Sequence, residues 1–458
     1  MSATGITEMV GFRGEVLRPE DPGYDEARRL WNGAIDRRPA MIARCTGTAD
    51  VMVGIGHARS SGLPLAVRGG GHNVAGTASC DGGIVLDLSP MKEVRVDPAA
   101  ATAWAQPGLL WGELDQATQA AGLATTGGIV THTGVAGLTL GGGIGWLMRK
   151  HGLTCDNLLA VELVTADGRL QRADEREHPE LLWGIRGGGG NFGVVTGFRF
   201  RLHPVGPQVL AGPVFYAAEQ TRQVLRGYRD WAMDAPDEVS TVVNLRLAPP
   251  LEIIPEQLHG VPVATIVCCY AGADPAEGVR LLEPVRRLAT PLLDLVTVKP
   301  YSAHQTTFDA TVPHGLHYYW KSHYLDELGD EAIDALVERA WSHRSPHSYT
   351  IMFQLGGAVR RVPDDATAFS GRGAGYALNI NAAALDADEC AQQTDWARGM
   401  WEATGRFSNG VYMNFLGNEG GDRVRAAYGE AKYLRLAALK RAWDPDNLFR
   451  INQNITPG

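Results

Sequence analysis

Residues 63–76 read LPLAVRGGGHNVAG, an apolar stretch followed directly by three glycines and a histidine. Leu63–Val67 has the composition of a strand, so the glycine run begins where that strand ends. A helix is expected just upstream, from Thr48 as N-cap to Gly62 as the terminating glycine. The pattern predicts a βαβ-like unit whose glycine loop presents backbone and His72 to a ligand. A tight turn with an incidental histidine is the alternative.

Glycine is concentrated around this loop. The chain has 458 residues and 56 glycines, about 12% against roughly 7% in average proteins. Residues 62–197 hold 27 of them, and the other 322 residues hold 29. Three glycine runs, at 69–71, 141–145 and 187–190, let the backbone approach a bound molecule closely. They predict a large, extended ligand lying along the backbone.

One glycine run formally matches a dinucleotide fingerprint, at Gly188, Gly190 and Gly193. That fingerprint needs a strand before it, a helix after it and an acidic residue about 20 positions on. Here a strand is expected after Gly193, and the region near residue 213 reads Gly-Pro-Val. A Rossmann site is therefore not expected.

Composition argues against several other functional classes. The formal net charge is −9 and no basic patch is present, so nucleic-acid binding is not expected. The amino-terminal stretch lacks an apolar h-region, and no apolar stretch is long enough to span a bilayer. Six cysteines without CxxC spacing indicate thiols in a reducing cytoplasm. His314, His317 and His323 lie near no HExxH motif or carboxylate pair, so no metal site is expected.

The chain beyond residue 205 differs in composition, because its glycine density drops. Strands alternating with amphipathic helices predict an α+β domain with a largely antiparallel sheet. A last helix is expected over residues 422–442. The predicted strands are Val209–Tyr216, Val239–Leu247, Val261–Tyr270, Thr350–Leu355 and Ala377–Ala382.

Several long motifs occur in a fixed order along the chain. They are VRGGGH (67–72), GIVLDLS (83–89), GVAGLTLGGG (134–143), HGLTCDN (151–157), LWGIRGGGGNFGVVT (182–196), YMN (412–414) and DPDNLF (444–449). They resemble the FAD-linked oxidases with a p-cresol methylhydroxylase-type FAD domain and a berberine-bridge-enzyme-like C-terminus, within the vanillyl-alcohol oxidase superfamily. LGGAVRRVPDDATAF (355–369) and RLAPP (246–250) resemble a bacterial branch that includes the flavin-dependent oxygenase of enterocin polyketide biosynthesis.

This resemblance implies an α+β, two-domain p-cresol methylhydroxylase/vanillyl-alcohol oxidase-type FAD fold with an antiparallel-sheet substrate domain. We expect an FAD-binding domain over residues 1–205 and a substrate domain over 206–410. Residues 411–458 are expected to form a berberine-bridge-like segment that returns to the FAD domain. We expect a cytoplasmic protein, with a homodimer as its candidate assembly, that binds neither membranes nor nucleic acid.

The resemblance also implies how the cofactor is held. His72 would be linked covalently through its imidazole to the 8α carbon of FAD. Many relatives carry a second linkage through a cysteine four residues before the Gly134 position; Val130 stands there in this chain, so a single covalent bond is expected. The implied cofactor-binding residues are Arg68, Gly69, Gly70, Gly71, His72, Asn73, Gly76, Val130, Thr133, Gly134, Gly137, Gly142, Gly143, Gly145, Gly193, Val195, Asn452 and Asn454.

For catalysis, family position makes Tyr412 the candidate base. An unperturbed tyrosine has a pKa near 10, so Tyr412 would need a nearby positive charge or hydrogen-bond donors to ionise. Asn414 would orient Tyr412 or the flavin. His132 and Thr133 would lie near the reactive face of the flavin, where either could be structural.

Three hypotheses of function remain open. The first is an oxidase that passes hydride from a small organic substrate to flavin N5, with dioxygen as electron acceptor. The second is an oxygenase that tailors a polyketide, and the third is a flavin-binding protein without turnover. The substrate cannot be read from the sequence; strand periodicity makes Asn244, His317, Tyr319, Phe353 and Gln354 candidate pocket residues.

Overall fold

A computed structural model describes residues 9–343 and 345–458. Residues 1–8, which begin the amino-terminal stretch without an apolar h-region, lie outside the described residues. The elements up to residue 205 are β1 (Glu15–Leu17), α1 (Tyr24–Ala27), β2 (Met41–Arg44), α2 (Thr48–Ser61), β3 (Leu65–Arg68), β4 (Ile84–Asp87), β5 (Val94–Asp97), β6 (Thr102–Ala105), α3 (Trp111–Gln119), β7 (Leu123–Ala124), α4 (Val135–Leu140), α5 (Met148–His151), β8 (Leu158–Val164), β9 (Leu170–Asp174), α6 (Pro179–Ile185), β10 (Val194–Arg201) and β11 (His203–Pro204).

Two larger sheets and a small one form this part of the chain. The first has the order β1-β2-β4-β3, with β2, β4 and β3 parallel and β1 antiparallel. The second is antiparallel, with the order β5-β6-β10-β8-β9, and β7 pairs with β11. In β10, Phe198 and Phe200 are fully buried while Arg199 and Arg201 are exposed. This alternation is that of a half-buried strand, and it confirms the strand expected after Gly193.

The remaining elements build one large antiparallel sheet and a C-terminal helical segment. They are β12 (Gln208–Ala217), α7 (Thr221–Met233), β13 (Val239–Leu247), β14 (Pro262–Tyr270), α8 (Pro275–Leu282), β15 (Leu293–Asp294), β16 (Thr297–Pro300), α9 (Tyr301–Gln305), β17 (His317–Leu325), α10 (Asp330–Arg339), β18 (Tyr349–Gln354), α11 (Ala358–Arg361), β19 (Tyr376–Ala384), α12 (Ala387–Thr404), β20 (Ser408–Gly410), α13 (Gly421–Tyr428) and α14 (Glu430–Trp443).

The large sheet has the strand order β15-β12-β14-β13-β18-β19-β17-β20, and β16 also pairs with β12. One face packs on α7, α10 and α12 through a cluster that includes Tyr228, Leu336 and Met400. The other face packs on residues of the glycine-rich part, among them Trp31 and Trp146. The architecture is the expected α+β fold, with the antiparallel sheet facing the glycine loops.

Helix α2 shows why the local prediction around the first glycine loop holds. It begins at Thr48 and ends before Gly62, which adopts a left-handed φ of 67° that only glycine takes without strain. Gly47 is the N-cap residue rather than Thr48. The Asp50 carboxylate instead closes the turn before the helix, accepting from the backbone amides of Thr46 and Arg13 at 2.8 Å each.

Two helix predictions are wrong in extent. The sequence of residues 24–35 is typical of a helix, but the helix there, α1, ends at Ala27. The chain leaves the helix because the Trp31 amide donates to the carbonyl of Gly71, and the Asn32 side chain donates to the carbonyl of Val74. The helix expected over 422–442 is two helices, because Gly429 has a φ of 74° between them.

Candidate active site

The first glycine loop leaves the carboxyl end of β3 and is anchored by a buried ion pair. Arg68, expected to contact the cofactor, donates from Nε and Nη2 to the two carboxylate oxygens of Asp87, at 3.1 and 2.7 Å. Its side chain therefore ties β3 to β4. In the described residues, the backbone hydrogen bonds include none donated by the amides of residues 69–74. Successive free amides of this kind are a common binding surface for anions such as phosphate.

A second glycine loop, at Gly134 just before α4, packs on the first glycine loop, backbone against backbone. A Cβ added to Gly70 would lie 2.5 Å from the Gly134 Cα, and one added to Gly134 would lie 2.5 Å from the Gly70 nitrogen. Such distances leave room for glycine alone on both sides. The contact explains why both positions are glycine, and it brings residues 69–73 and 133–137 into the wall of one cavity.

This cavity collects most, but not all, of the residues expected to bind the cofactor. Six of those expected lie outside its lining: Arg68, Gly76, Gly142, Gly143, Gly145 and Asn454. The expected residues that line it are Gly69, Gly70, Gly71, His72, Asn73, Val130, Thr133, Gly134, Gly137, Gly193, Val195 and Asn452, together with Tyr412 and Asn414.

Three of the glycines that do not line the cavity belong to the glycine run at 141–145, in the turn after α4. Gly142 and Gly143 have φ values of 122° and 86°, which place this turn in conformations that L-residues rarely adopt. A Cβ on Gly145 would lie 1.6 Å from the Gly127 carbonyl oxygen. These residues shape the turn after α4.

The C-terminal segment closes the cavity beside Gly190. The Lys440 ammonium is fully buried and donates to Asp444 at 2.6 Å and to the backbone carbonyls of Asn191 and Phe449. Asn452 Nδ2 donates to the carbonyl of Gly190 at 3.2 Å. These bonds hold residues 449–455 against the loop that formally matched the dinucleotide fingerprint. In that loop α6 precedes the glycines and β10 follows them, so the order is the reverse of a Rossmann unit.

His72 lies in an aromatic cluster at one end of the cavity. Its ring stacks on Trp31 with centroids 4.2 Å apart, and Trp31 stacks in turn on Tyr318 at 3.7 Å. The Nε2 atom of His72 lies 3.2 Å from His132 Nδ1, and the His132 ring is 4.9 Å from that of His314. Burial, with the charges of His132 and His314 added, lowers the pKa of His72 well below 6.5. At neutral pH the His72 imidazole is therefore uncharged.

Tyr412 lies across the cavity in a hydrogen-bonded setting. Its hydroxyl oxygen accepts from the Gly143 amide and from Asn414 Nδ2, both at 2.8 Å. Asn414 also donates to the Leu138 carbonyl at 3.1 Å. With both lone pairs of the oxygen used, the Tyr412 O–H proton has no acceptor among the residues that the structure describes. Burial raises the Tyr412 pKa above 10, against the effect of these two donors.

The wall opposite the glycine loops is the inner face of the large sheet. Sequence reasoning found only Phe353 among the residues of this wall that line the cavity. It missed five others, although the alternating pattern of β17, β18 and β19 carries the signal. These are Trp320, Tyr349, Ile351, Asn379 and Asn381. Trp31, which follows α1 in the chain, lines the cavity as well and was also missed.

The remaining pocket candidates divide between the two faces. Asn244 pairs with Ile351 across β13 and β18 and so shares the inner face. Tyr319 and Gln354 were assigned to the wrong face: Tyr319 packs on the helix-side cluster, and Gln354 Nε2 donates to the Ala232 carbonyl in α7. His317 shares the face of Tyr319, because the two residues are two apart in β17. A shift of one residue in a strand's register reverses every such assignment.

The residues of the cavity fit an FAD molecule. The free amides of residues 69–74 suit a pyrophosphate, and an added Cβ on Gly137 would meet no atom within 4 Å, so open space lies beside that backbone. Asn452 Oδ1 is buried without a partner among the described residues. An unpaired buried carbonyl oxygen is costly unless a ligand donates to it.

Within the described residues, no three His, Cys, Asp or Glu side chains are grouped so that they could hold a metal ion. Over the same residues, no helix combines the length and the apolar character that crossing a membrane requires.

Known proteins are similar to this chain over almost its full length. Residues 39–174 match the FAD binding domain family, and residues 411–456 match the family described as berberine and berberine like. An FAD-linked oxidoreductase of Dictyostelium discoideum is 32% identical, over 99% of this chain and 98% of its own length. The (R)-6-hydroxynicotine oxidase of Paenarthrobacter nicotinovorans is 31% identical, over 98% of each chain.

Solved structures agree with the sequence matches. The crystal structure of 6-hydroxy-D-nicotine oxidase from Arthrobacter nicotinovorans superposes with a TM-score of 0.87 at 29% identity, covering 100% of both chains. A BBE-like protein of Physcomitrella patens gives a TM-score of 0.88 at 24% identity, covering 98% of both chains, and shows the same fold.

Proposed function

Because this chain belongs to the FAD-linked oxidoreductases of the berberine-bridge-enzyme-like family, we propose that it holds FAD covalently through His72 and oxidises a small organic substrate. When bound, the flavin would supply a hydride acceptor at N5, with dioxygen as the final electron acceptor. The observation that carries the proposal is that His72 and Tyr412 line the same cavity as the two packed glycine loops.

His72 has the chemical character that a covalent linkage requires. Bond formation to a flavin carbon needs an unshared electron pair on an imidazole nitrogen, and the lowered pKa keeps that pair available at neutral pH. Stacking on Trp31 holds the ring in one orientation. None of the six cysteines, all within described residues, lines the cavity, and the Val130 side chain carries no nucleophile. A single linkage through His72 is thus the form the residues support.

Tyr412 is proposed to receive the proton that leaves the substrate's O–H or N–H group. Asn414 and the Gly143 amide fix its oxygen, and they would stabilise negative charge there through two hydrogen bonds. Asn414 acts as a positioning residue in this proposal, because both donor interactions of its amide group are already committed to Tyr412 and Leu138.

We further propose the functional division of the chain as residues 1–205 for FAD, 206–410 for substrate and 411–458 as a returning segment. In support, every strand of the large sheet falls between residues 208 and 410. The inner face of that sheet supplies the wall opposite the glycine loops.

The test of the linkage uses the purified protein denatured on a gel. Flavin fluorescence should remain on the wild-type band and be absent from the band of His72→Ala. Free flavin released from the wild type would contradict the covalent bond. His314→Ala serves as a matched control, since this histidine belongs to the cluster but does not line the cavity.

The test of the reaction uses a panel of alcohols, sugars, hydroxy-aromatic amines and polyketide mimics. An oxidase bleaches the flavin anaerobically with its substrate and forms hydrogen peroxide in air. With labelled dioxygen, the label should appear in peroxide only. Label in the organic product would instead assign the protein as an oxygenase, and no bleaching with any compound would favour a flavin-binding protein without turnover.

A further inference from the structure

Strand β13 carries a buried cation on the inner face of the large sheet. Arg246 is only 5% exposed. It forms no ion pair with any carboxylate of residues 9–343 and 345–458, and its one hydrogen bond there runs from Nε to the Leu247 carbonyl at 3.2 Å. Its guanidinium lies 5.1 Å from the ring centre of Tyr349, which lines the cavity.

The neighbours of Arg246 on this face are also unpaired. Asn244, two residues earlier, has both its Oδ1 and its Nδ2 buried without a partner in the described chain. Asn379 lies in the cavity wall, and its Oδ1 atom is likewise buried without a hydrogen-bond partner in the described chain. Pairing across the strands places Asn244, Ile351 and Asn379 side by side, and likewise Arg246, Tyr349 and Asn381.

Such a group is unfavourable unless something binds to it. A guanidinium stays charged in proteins, and a buried charge without a partner destabilises the fold. Two other buried arginines have acceptors for their guanidinium groups: Arg68 pairs with Asp87, and Arg149 donates to three backbone carbonyls. Arg246 differs in presenting its Nη groups to no described acceptor.

We propose that Arg246, with Asn244 beside it, binds a carboxylate of the substrate. The planar fork of a guanidinium matches a carboxylate in a two-point hydrogen bond. Strands lie about 4.8 Å apart, so Arg246 is roughly 10 Å from Asn381 at the cavity wall. The substrate is therefore a carboxylic acid whose oxidised C–H lies several bonds from its carboxylate. This inference rests on the proposed function, because the rest of the substrate would extend towards the flavin.

Binding is tested on the purified holoprotein with benzoate, phenylacetate and 3-phenylpropionate, each against its neutral carboxamide. The readouts are the perturbation of flavin absorbance and the ligand-induced shift in melting temperature. At least one carboxylate should bind about tenfold or more tightly than its amide. Arg246→Met should lose that preference, and Arg246→Lys should keep part of it.

Stability separates this role from a structural one. Removing an unpaired buried charge relieves a cost, so unliganded Arg246→Met should melt at the wild-type temperature or up to about 2 °C higher. A structural arginine would lower the melting temperature when removed. Arg398→Met is the matched control, because Arg398 lies over Tyr319 on the opposite face and is exposed; it should bind carboxylates as the wild type does.

The proposal is overturned if no carboxylate binds below about 50 mM, or if the wild type binds acids and amides equally. It is also overturned if Arg246→Met keeps the preference for a carboxylate over its carboxamide. If Arg246→Met does not fold, Arg246→Lys decides: a full preference for the carboxylate together with a lowered melting temperature overturns the proposal as well. The melting readout needs no turnover, so failure here is distinct from loss of the His72 linkage or of peroxide formation.

Discussion

The hydroxyl of Tyr412 is subject to two opposing effects on its pKa. Burial raises the pKa, while donors from Gly143 and Asn414 lower it, and the net result lies above 10. Tyr412 therefore holds its proton at neutral pH. If Tyr412 acts as the base, only its phenolate form is reactive. As long as the pH is below the pKa of Tyr412, the phenolate fraction grows about tenfold for each unit by which the pH rises.

We accordingly expect kcat/KM to rise with pH from 7 to about 9.5, with a logarithmic slope near one. Tyr412→Phe should lower the anaerobic rate of flavin reduction by about 10²-fold or more and remove this slope. Stopped-flow measurement across the pH range checks both. Tyr319→Phe is the control, since Tyr319 lies on the far face of the sheet. Normal turnover by Tyr412→Phe would reject the base assignment.

At the scale of elements, two helical glycines differ only in what lies beside them. Gly56 in α2 and Gly137 in α4 both have open space where a Cβ would be added. Gly56 faces solvent, whereas Gly137 lines the cavity. Alanine in a helix is favoured over glycine by about 0.5–1 kcal/mol when nothing clashes.

Gly56→Ala should therefore stabilise the protein and leave its flavin content unchanged. Gly137→Ala should fold equally well yet bind less FAD, because the new methyl group occupies cofactor space. The ratio of flavin to protein absorbance after purification, together with the melting temperature of each variant, measures the two effects. Equal flavin content in both variants would show that FAD does not lie against α4.

At the scale of the whole molecule, a buried carboxyl joins the glycine-rich part to the large sheet. Gln305 in α9 donates to Asp115 in α3 at 2.7 Å, across 190 residues of sequence. Burial raises the pKa of Asp115 to about 7. An unfolded aspartate has a pKa near 3.9, so the folded protein binds more protons between these values and loses stability as the pH rises from 4 to 7.

Replacing this carboxyl by an amide should remove the pH dependence it causes. Asp115→Asn keeps an acceptor for Gln305 and carries no charge. The free energy of unfolding of the variant minus that of the wild type should therefore be about 2–3 kcal/mol larger at pH 8 than at pH 5. Urea unfolding at the two pH values checks this. A difference that is the same at both would mean that Asp115 titrates normally.

The glycine loops were predictable because their information is local. Gly70 and Gly134 must be glycine for backbone to meet backbone, and that requirement is visible in the residue types alone. The positions of strands were predictable for the same reason: the strand Val239–Leu247 was predicted with the bounds that the structure shows. The first helix was not, because the hydrogen bonds that end it at Ala27 run from Trp31 to Gly71 and from Asn32 to Val74, 40 and 42 residues further along the chain.

By itself, therefore, the sequence determined the cofactor side of this protein: the glycine loops, His72 and the resemblance to the FAD-linked oxidases. The tertiary structure alone decided the opposite wall: Asn379 and Asn381 line the cavity, Arg246 lies on the same face of the sheet beside Tyr349, and Gln354 and Tyr319 lie on the other face. The physical reason is that a strand has two faces with period two, and only the packing of helices on one of them shows which face remains for a ligand.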